Sequence, residues 1–221
     1  MAKSLKILAD QLRKNNGGIR LTPLFDDGIV PGSAVEVESW NITDRVGHVR
    51  ELLGKDGIPT IEGPIACLLE DFKRAHDLNL SSAVELLQPS ATAKAEFSRA
   101  KEAIAHFDSP VIYGMSLTEL EDAIEAADEA AWKKALGQRL QLKKARVVYQ
   151  VIRGRLSFFF RGQGSVGIDL QGSKLGDLQK AGLSAGWKWR NESTLESKRE
   201  LVIAVKCARY LMKKQRFERT D

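Results

Sequence analysis

The segment Arg146 to Arg161 is rich in β-branched and aromatic side chains, and it constrains the fold more than anything else in the chain. Val148, Ile152, Leu156, Phe158 and Phe160 share one parity, while Val147, Tyr149 and Val151 share the other. Successive side chains of a strand point to opposite faces, and these residue types suit a pleated, half-buried surface. The run therefore predicts one long strand. Gly162, Gln163 and Gly164 follow, after which Val166, Ile168 and Leu170 alternate with Gly167, Asp169 and Gln171. Strand, glycine turn and alternating strand together predict a hairpin. Gly162, Gly164 and Gly167 also spell the GxGxxG pattern. A dinucleotide loop must open a helix whose free amides face the pyrophosphate, and an alternating strand stands there instead. No cofactor is expected.

More strands are predicted on both sides. Ile19 to Phe25 reads as an edge strand carrying Pro23. Val35 and Val37 alternate with Glu36 and Glu38, and Trp40 and Ile42 continue on the other parity, predicting a long strand with a register change. Leu183, Ala185, Trp187 and Trp189 alternate with Ser184, Gly186, Lys188 and Arg190, and Leu201 to Cys207 supplies a last strand. Helices are predicted at Ser4 to Asn15, at Ser173 to Lys180, and at about Ala91 to Phe107, where Phe97, Ala100, Ile104 and Phe107 have helical spacing before Pro110. Another starts at Ser116, with Glu119 three residues on as a capping box, and runs toward Lys133, Lys134 and Arg139. Ile65 to His76 fits either class, with Leu68, Leu69 and Phe72 favouring a helix. The expected fold class is α+β: a twisted, mostly antiparallel sheet flanked by helices, over 1–221 as a single domain with a short basic tail at 213–221.

A composition of 43% hydrophobic and 29% charged residues belongs to a globular chain rather than a disordered one. No apolar run approaches the roughly 18 residues of a membrane helix, and the N-terminal stretch with Lys3 and Lys6 lacks a signal peptide's apolar core. The expected location is the cytoplasm. Residues 146–221 hold 16 Lys/Arg against 7 Asp/Glu, whereas residues 1–145 hold 18 against 22. The positive charge sits with the strands, which suits an anionic partner, either nucleic acid or an acidic membrane surface. Cys67 and Cys207 are too far apart and too few for a disulfide framework or metal pattern. His48, His76 and His106 lack ligand spacing, and no nucleophile elbow is present. No catalytic or metal residue is assigned, and an enzyme is not expected.

The segment VVYQVIRGRLSFFFRGQGSVGIDLQ from Val147 to Gln171 resembles the pore-forming domain of gasdermins, particularly the bacterial members. FSRAKEAIAHFDSPVIYGMSLTELEDAI before it, LSAGWKWRNESTL and LVIAVKCARYL after it, and GGIRLTPLF near the start resemble further elements of that domain. The resemblance implies a protein dormant in the cytoplasm that homo-oligomerises on acidic membrane lipids and inserts β-hairpins, permeabilising the membrane and killing the cell. It implies Ala34 to about Leu53 (with Val35, Val37, Trp40 and Ile42) and Arg146 to Leu170 as the hairpin regions. It assigns headgroup contacts to Lys6, Arg13 and Lys14. Bacterial members often carry an acylated cysteine near the N-terminus, whereas Cys67 is the first here. Restraint is then expected from the basic tail, self-association or a partner chain, with an activating protease as one release. A nucleic-acid binder using the C-terminal strands, with Trp187 and Trp189 as stacking platforms, is the alternative.

Overall fold

The computed structural model describes residues 19–21, 28–38, 41–54, 57–69, 76–79, 102–127, 135–140, 143–161, 187–190, 194–214 and 216–219. They form two compact units interleaved along the chain. The larger collects β1 (Ile19–Leu21), β2 (Ser33–Glu38), β3 (Asn41–His48), β4 (Glu62–Ala66), the end of β6 (Glu102–Gly114), the start of β7 (Ala145–Arg161), β10 (Leu201–Leu211) from Val202, and β11 (Arg216–Arg219). Its helices are α1 (Arg50–Leu53), α2 (Leu117–Glu125) and α3 (Ala135–Leu140). The other unit holds β5 (His76–Asn79), β6 as far as Pro110, β7 from Gly154, β8 (Trp187–Trp189) and β9 (Thr194–Ser197).

The strands run in the order β11-β10-β1-β3-β2-β7-β6-β4. β1 meets β3 in parallel through Leu21 and Asn41, and the other described ladders with a resolved register are antiparallel. The fold is therefore α+β with a mostly antiparallel sheet, as the alternating sequence predicts.

In the larger unit both sheet faces are covered. Ala34, Val147 and Ala208 face one cluster, with Leu52 of α1, Leu120 and Ile124 of α2, and Leu136 and Leu140 of α3. Their chain neighbours Val35, Val148 and Cys207 belong to a second cluster with Ile29, Val37, Ile42, Val151, Val202 and Val205. Adjacent residues thus enter opposite cores, which is the period-two geometry of a strand apolar on both sides. Burial of this kind is worth about 1.5–3 kcal/mol for each large side chain.

Several expectations are corrected. β6 replaces the predicted end of a helix at 102–107: Ala103, Ala105 and Phe107 are buried and Ile104 and His106 half-buried, and β5 pairs with this stretch from His76↔Ala105 to Asn79↔Glu102. Pro110 does not end the element, because Ser109 takes the left-handed region (φ 47) and the strand continues past both. Ile65 and Ala66 lie in edge strand β4 rather than a helix, opposite Ile112 and Val111. The helix opened by Ser116 stops at Glu125, so Lys133, Lys134 and Arg139 do not lie at its end; Arg139 belongs to the separate α3. Ser116 Oγ does accept from the Glu119 amide at 3.3 Å. The tail is built into the sheet: Met212–Lys214 makes a 3-10 turn, and β11 pairs with β10 from Ala208↔Arg219 to Leu211↔Arg216. The helices at Ser4 to Asn15 and Ser173 to Lys180, and the hairpin turn at Gly162 to Gly164, lie outside the described residues.

Candidate membrane-active strands

Val35 and Val37 lie on β2 and Ile42 on β3, but the two are arms of a hairpin rather than one long strand. The chain reverses between Glu38 and Asn41, which face each other, and register shifts fall between Ala34 and Val35 and between Glu36 and Val37. The reversal sets Val37 opposite Ile42, and this produces the change of parity read from the sequence. Val35, Val37 and Ile42 are all buried. The arms are six and eight residues long, and β3 places exposed Asp44 and Arg45 on opposite parities. At the turn end, Lys144 bonds the Glu38 carboxylate and holds it below the usual carboxylate range.

The base of this hairpin is closed by His48. Its Nδ1 accepts the Arg50 amide at 3.1 Å, so its Nε2 carries the hydrogen that meets Pro31 O at 3.1 Å. Gly32, at φ +89, lies close to the ring, where an added Cβ would come within 2.7 Å of Cε1. Burial pulls the imidazole below its ordinary pKa, and Arg50 and Arg45 add to this against the Pro31 carbonyl and Glu51. The sequence pattern does not mark this joint, where Ser33 pairs with His48.

β7 contains Val148, Ile152, Leu156 and Phe158, all buried, and its backbone includes Phe160. The two halves of the strand differ. From Ala145 to Val151 both parities carry buried apolar residues, namely Ala145, Val147 and Val151 on one and Val148 on the other. From Ile152 to Phe158 one parity is uniformly apolar or glycine and buried, while the other carries Arg153, Arg155 and Ser157. β9 lies beside this half, with Ser157 opposite Glu196 and Phe158 opposite Leu195, and Leu156 N donates to Ser197 Oγ at 3.1 Å. The sequence shows the alternation, and burial shows that only the second half is amphipathic.

Ser157, Asp108 and His106 form a polar chain with the carboxylate in the middle: Asp108 accepts the Ser157 hydroxyl and meets His106 Nδ1 at 2.9 Å. A serine nucleophile needs the imidazole next to it, so this order stabilises the carboxylate without activating the hydroxyl. Among the described residues no group of three His, Cys, Asp or Glu could hold a metal, and no helix is long and apolar enough to cross a membrane. Cys67 and Cys207 are both buried.

Lys6, Arg13 and Lys14, together with Trp40, Val166, Ile168 and Leu170, lie outside the described residues. Two features escaped the sequence reading. Edge strand β4 leaves Ile65 55% exposed, with Ile61 before it at 43%. β11 is anchored by Phe217, whose ring lies 5.1 Å from that of Tyr210 and whose amide donates to Glu121 Oε1.

No protein-family model and no curated protein matches the chain. Among solved structures, a bacterial gasdermin from Bradyrhizobium tropiciagri superposes with a TM-score of 0.59 at 15% identity, covering 96% of this chain and 89% of that one. The chain has a gasdermin-like fold.

Proposed function

We propose that this protein is a gasdermin-like pore former: a non-enzymatic chain that binds acidic membranes, oligomerises there and inserts β-strands into a barrel that permeabilises the membrane and kills the cell. The observation that carries the reading is a gasdermin-like fold spanning nearly the whole chain. The second half of β7 supports it chemically. A spanning strand needs about 9–11 residues, apolar toward lipid and polar toward the lumen. Ile152 to Phe158 has that alternation, and Phe159 and Phe160 extend the run to nine residues. Its apolar side chains leave one apolar environment for another on insertion, so the main cost is opening the core. Barrel closure then satisfies the backbone groups that insertion would strand in lipid.

In this reading the dormant protein keeps Ile152, Leu156 and Phe158 inside its core and moves from cytoplasm to cell membrane on activation by a protease or partner chain. Lys6, Arg13 and Lys14 contact headgroups, and Trp40, Val166, Ile168 and Leu170 belong to the inserting regions with Val35, Val37 and Ile42. The short, doubly charged arms of β2 and β3 make that hairpin the lesser contributor in its present form. The test is dye release from vesicles containing acidic lipid, by the whole chain and by limited-proteolysis products. Release that rises with acidic lipid content supports the proposal. Intact vesicles with every form, together with a salt-sensitive gel shift on nucleic acid, would replace it with the nucleic-acid reading.

A further inference from the structure

In the unit that contains β8 and β9, Asp108, Ser109, Arg155, Arg190, Glu196 and Glu200 line a cleft of about 480 Å³, room for a small ionic ligand. Its charged groups divide into two kinds. Asp108 is engaged by Ser157 and His106, and the largely buried Glu196 is held by Lys188 Nζ at 2.8 Å. The side chains of Arg155, Arg190 and Glu200 have no hydrogen bond or ion pair among the described residues. Among the described residues, two exposed guanidinium groups therefore share the cleft with no ion-pair partner, beside the unengaged Glu200 carboxylate and the engaged Asp108 and Glu196. The cleft wall is also strained, since Ser109 holds a left-handed conformation (φ 47), and conformations of that cost persist mainly where a site requires them.

We propose that this cleft binds a phosphoryl group on Arg155 and Arg190 and an ammonium group of the same ligand on Glu200, the chemistry of phosphoethanolamine. A carboxylate offers one charge and two oxygens, enough for one guanidinium fork, whereas a phosphoryl group presents oxygens to two. Glu200 supplies the counter-charge for an amine. The ligand is a lipid headgroup or a soluble phosphorylated amine. The site does not depend on pore formation, because occupancy is read in solution.

Calorimetric titration of the full chain with O-phosphoethanolamine and with inorganic phosphate tests the assignment. Both bind, phosphoethanolamine more tightly. Arg155→Ala and Arg190→Ala each weaken both ligands about tenfold, the scale of one lost charged hydrogen bond. Glu200→Gln removes the preference for the amine and leaves phosphate binding intact. Both arginines are exposed, and an unchanged melting temperature checks that their variants fold. Absence of heat with either ligand, or binding undiminished in the double arginine variant, overturns the proposal. Retention on phosphatidylethanolamine but not phosphatidylcholine vesicles, lost in the double variant, supports it with a lipid source. Binding confined to the soluble ligands supports it with a free metabolite as the source.

Discussion

His48 shows how one side chain can set the acid limit of a joint. Burial and the nearby Arg50 and Arg45 hold its folded pKa below the ordinary value of 6.5, so the unfolded chain takes up the proton first. Stability is then full above about pH 6.5 and declines as pH falls from there toward the folded pKa. Protonation would also remove the acceptor that receives the Arg50 amide. Urea midpoints at pH 7.5 and 5.5 should differ in that direction, and His48→Gln should narrow the difference. An equal narrowing in a variant of half-buried His106 would locate the effect elsewhere. Gly32 makes the same joint intolerant of bulk. Gly32→Ala forces a left-handed alanine against the His48 ring, and a loss of about 1–3 kcal/mol is expected in denaturant unfolding.

Elements were legible where local chemistry and tertiary pairing agree. The start of α2 was readable because Ser116 caps it, as its bond from the Glu119 amide confirms. β7 was readable because β-branched and aromatic residues fill it on both parities. β6 was not, since small residues at Ala103 and Ala105 gave a weak period-two signal and the strand is defined by partners such as β5 far away in sequence. The turn between β2 and β3 was hidden because Val37 and Ile42, which face each other across it, read in sequence as a register change within one strand. β11 was hidden because its one apolar residue, Phe217, stands among charged ones and gains its meaning only against Tyr210 and Glu121. Phe217→Ala should therefore cost about 3–5 kcal/mol and, if β11 restrains the sheet, hasten dye release, whereas exposed Lys213→Ala should change neither. A lower melting temperature with unaltered release kinetics would show that β11 stabilises the fold without restraining it.

At the scale of the molecule, the sheet order and the two buried faces account for a stable fold, and the amphipathic half of β7 is the segment that the proposed pore-forming role would send into a bilayer. Of the candidate site, the alternation was visible in sequence. Which half could face lipid was not, because periodicity cannot distinguish a strand buried on both faces from one buried on a single face. The most direct measurement places a fluorescent probe singly at Arg155, Leu156, Ser157 and Phe158 and adds acidic vesicles carrying either nitroxide-labelled acyl chains or aqueous iodide. Insertion of β7 requires that nitroxide quench the probes at Leu156 and Phe158 while iodide quenches those at Arg155 and Ser157. Vesicle-bound protein that releases dye with no nitroxide quenching at Leu156 or Phe158 would contradict it.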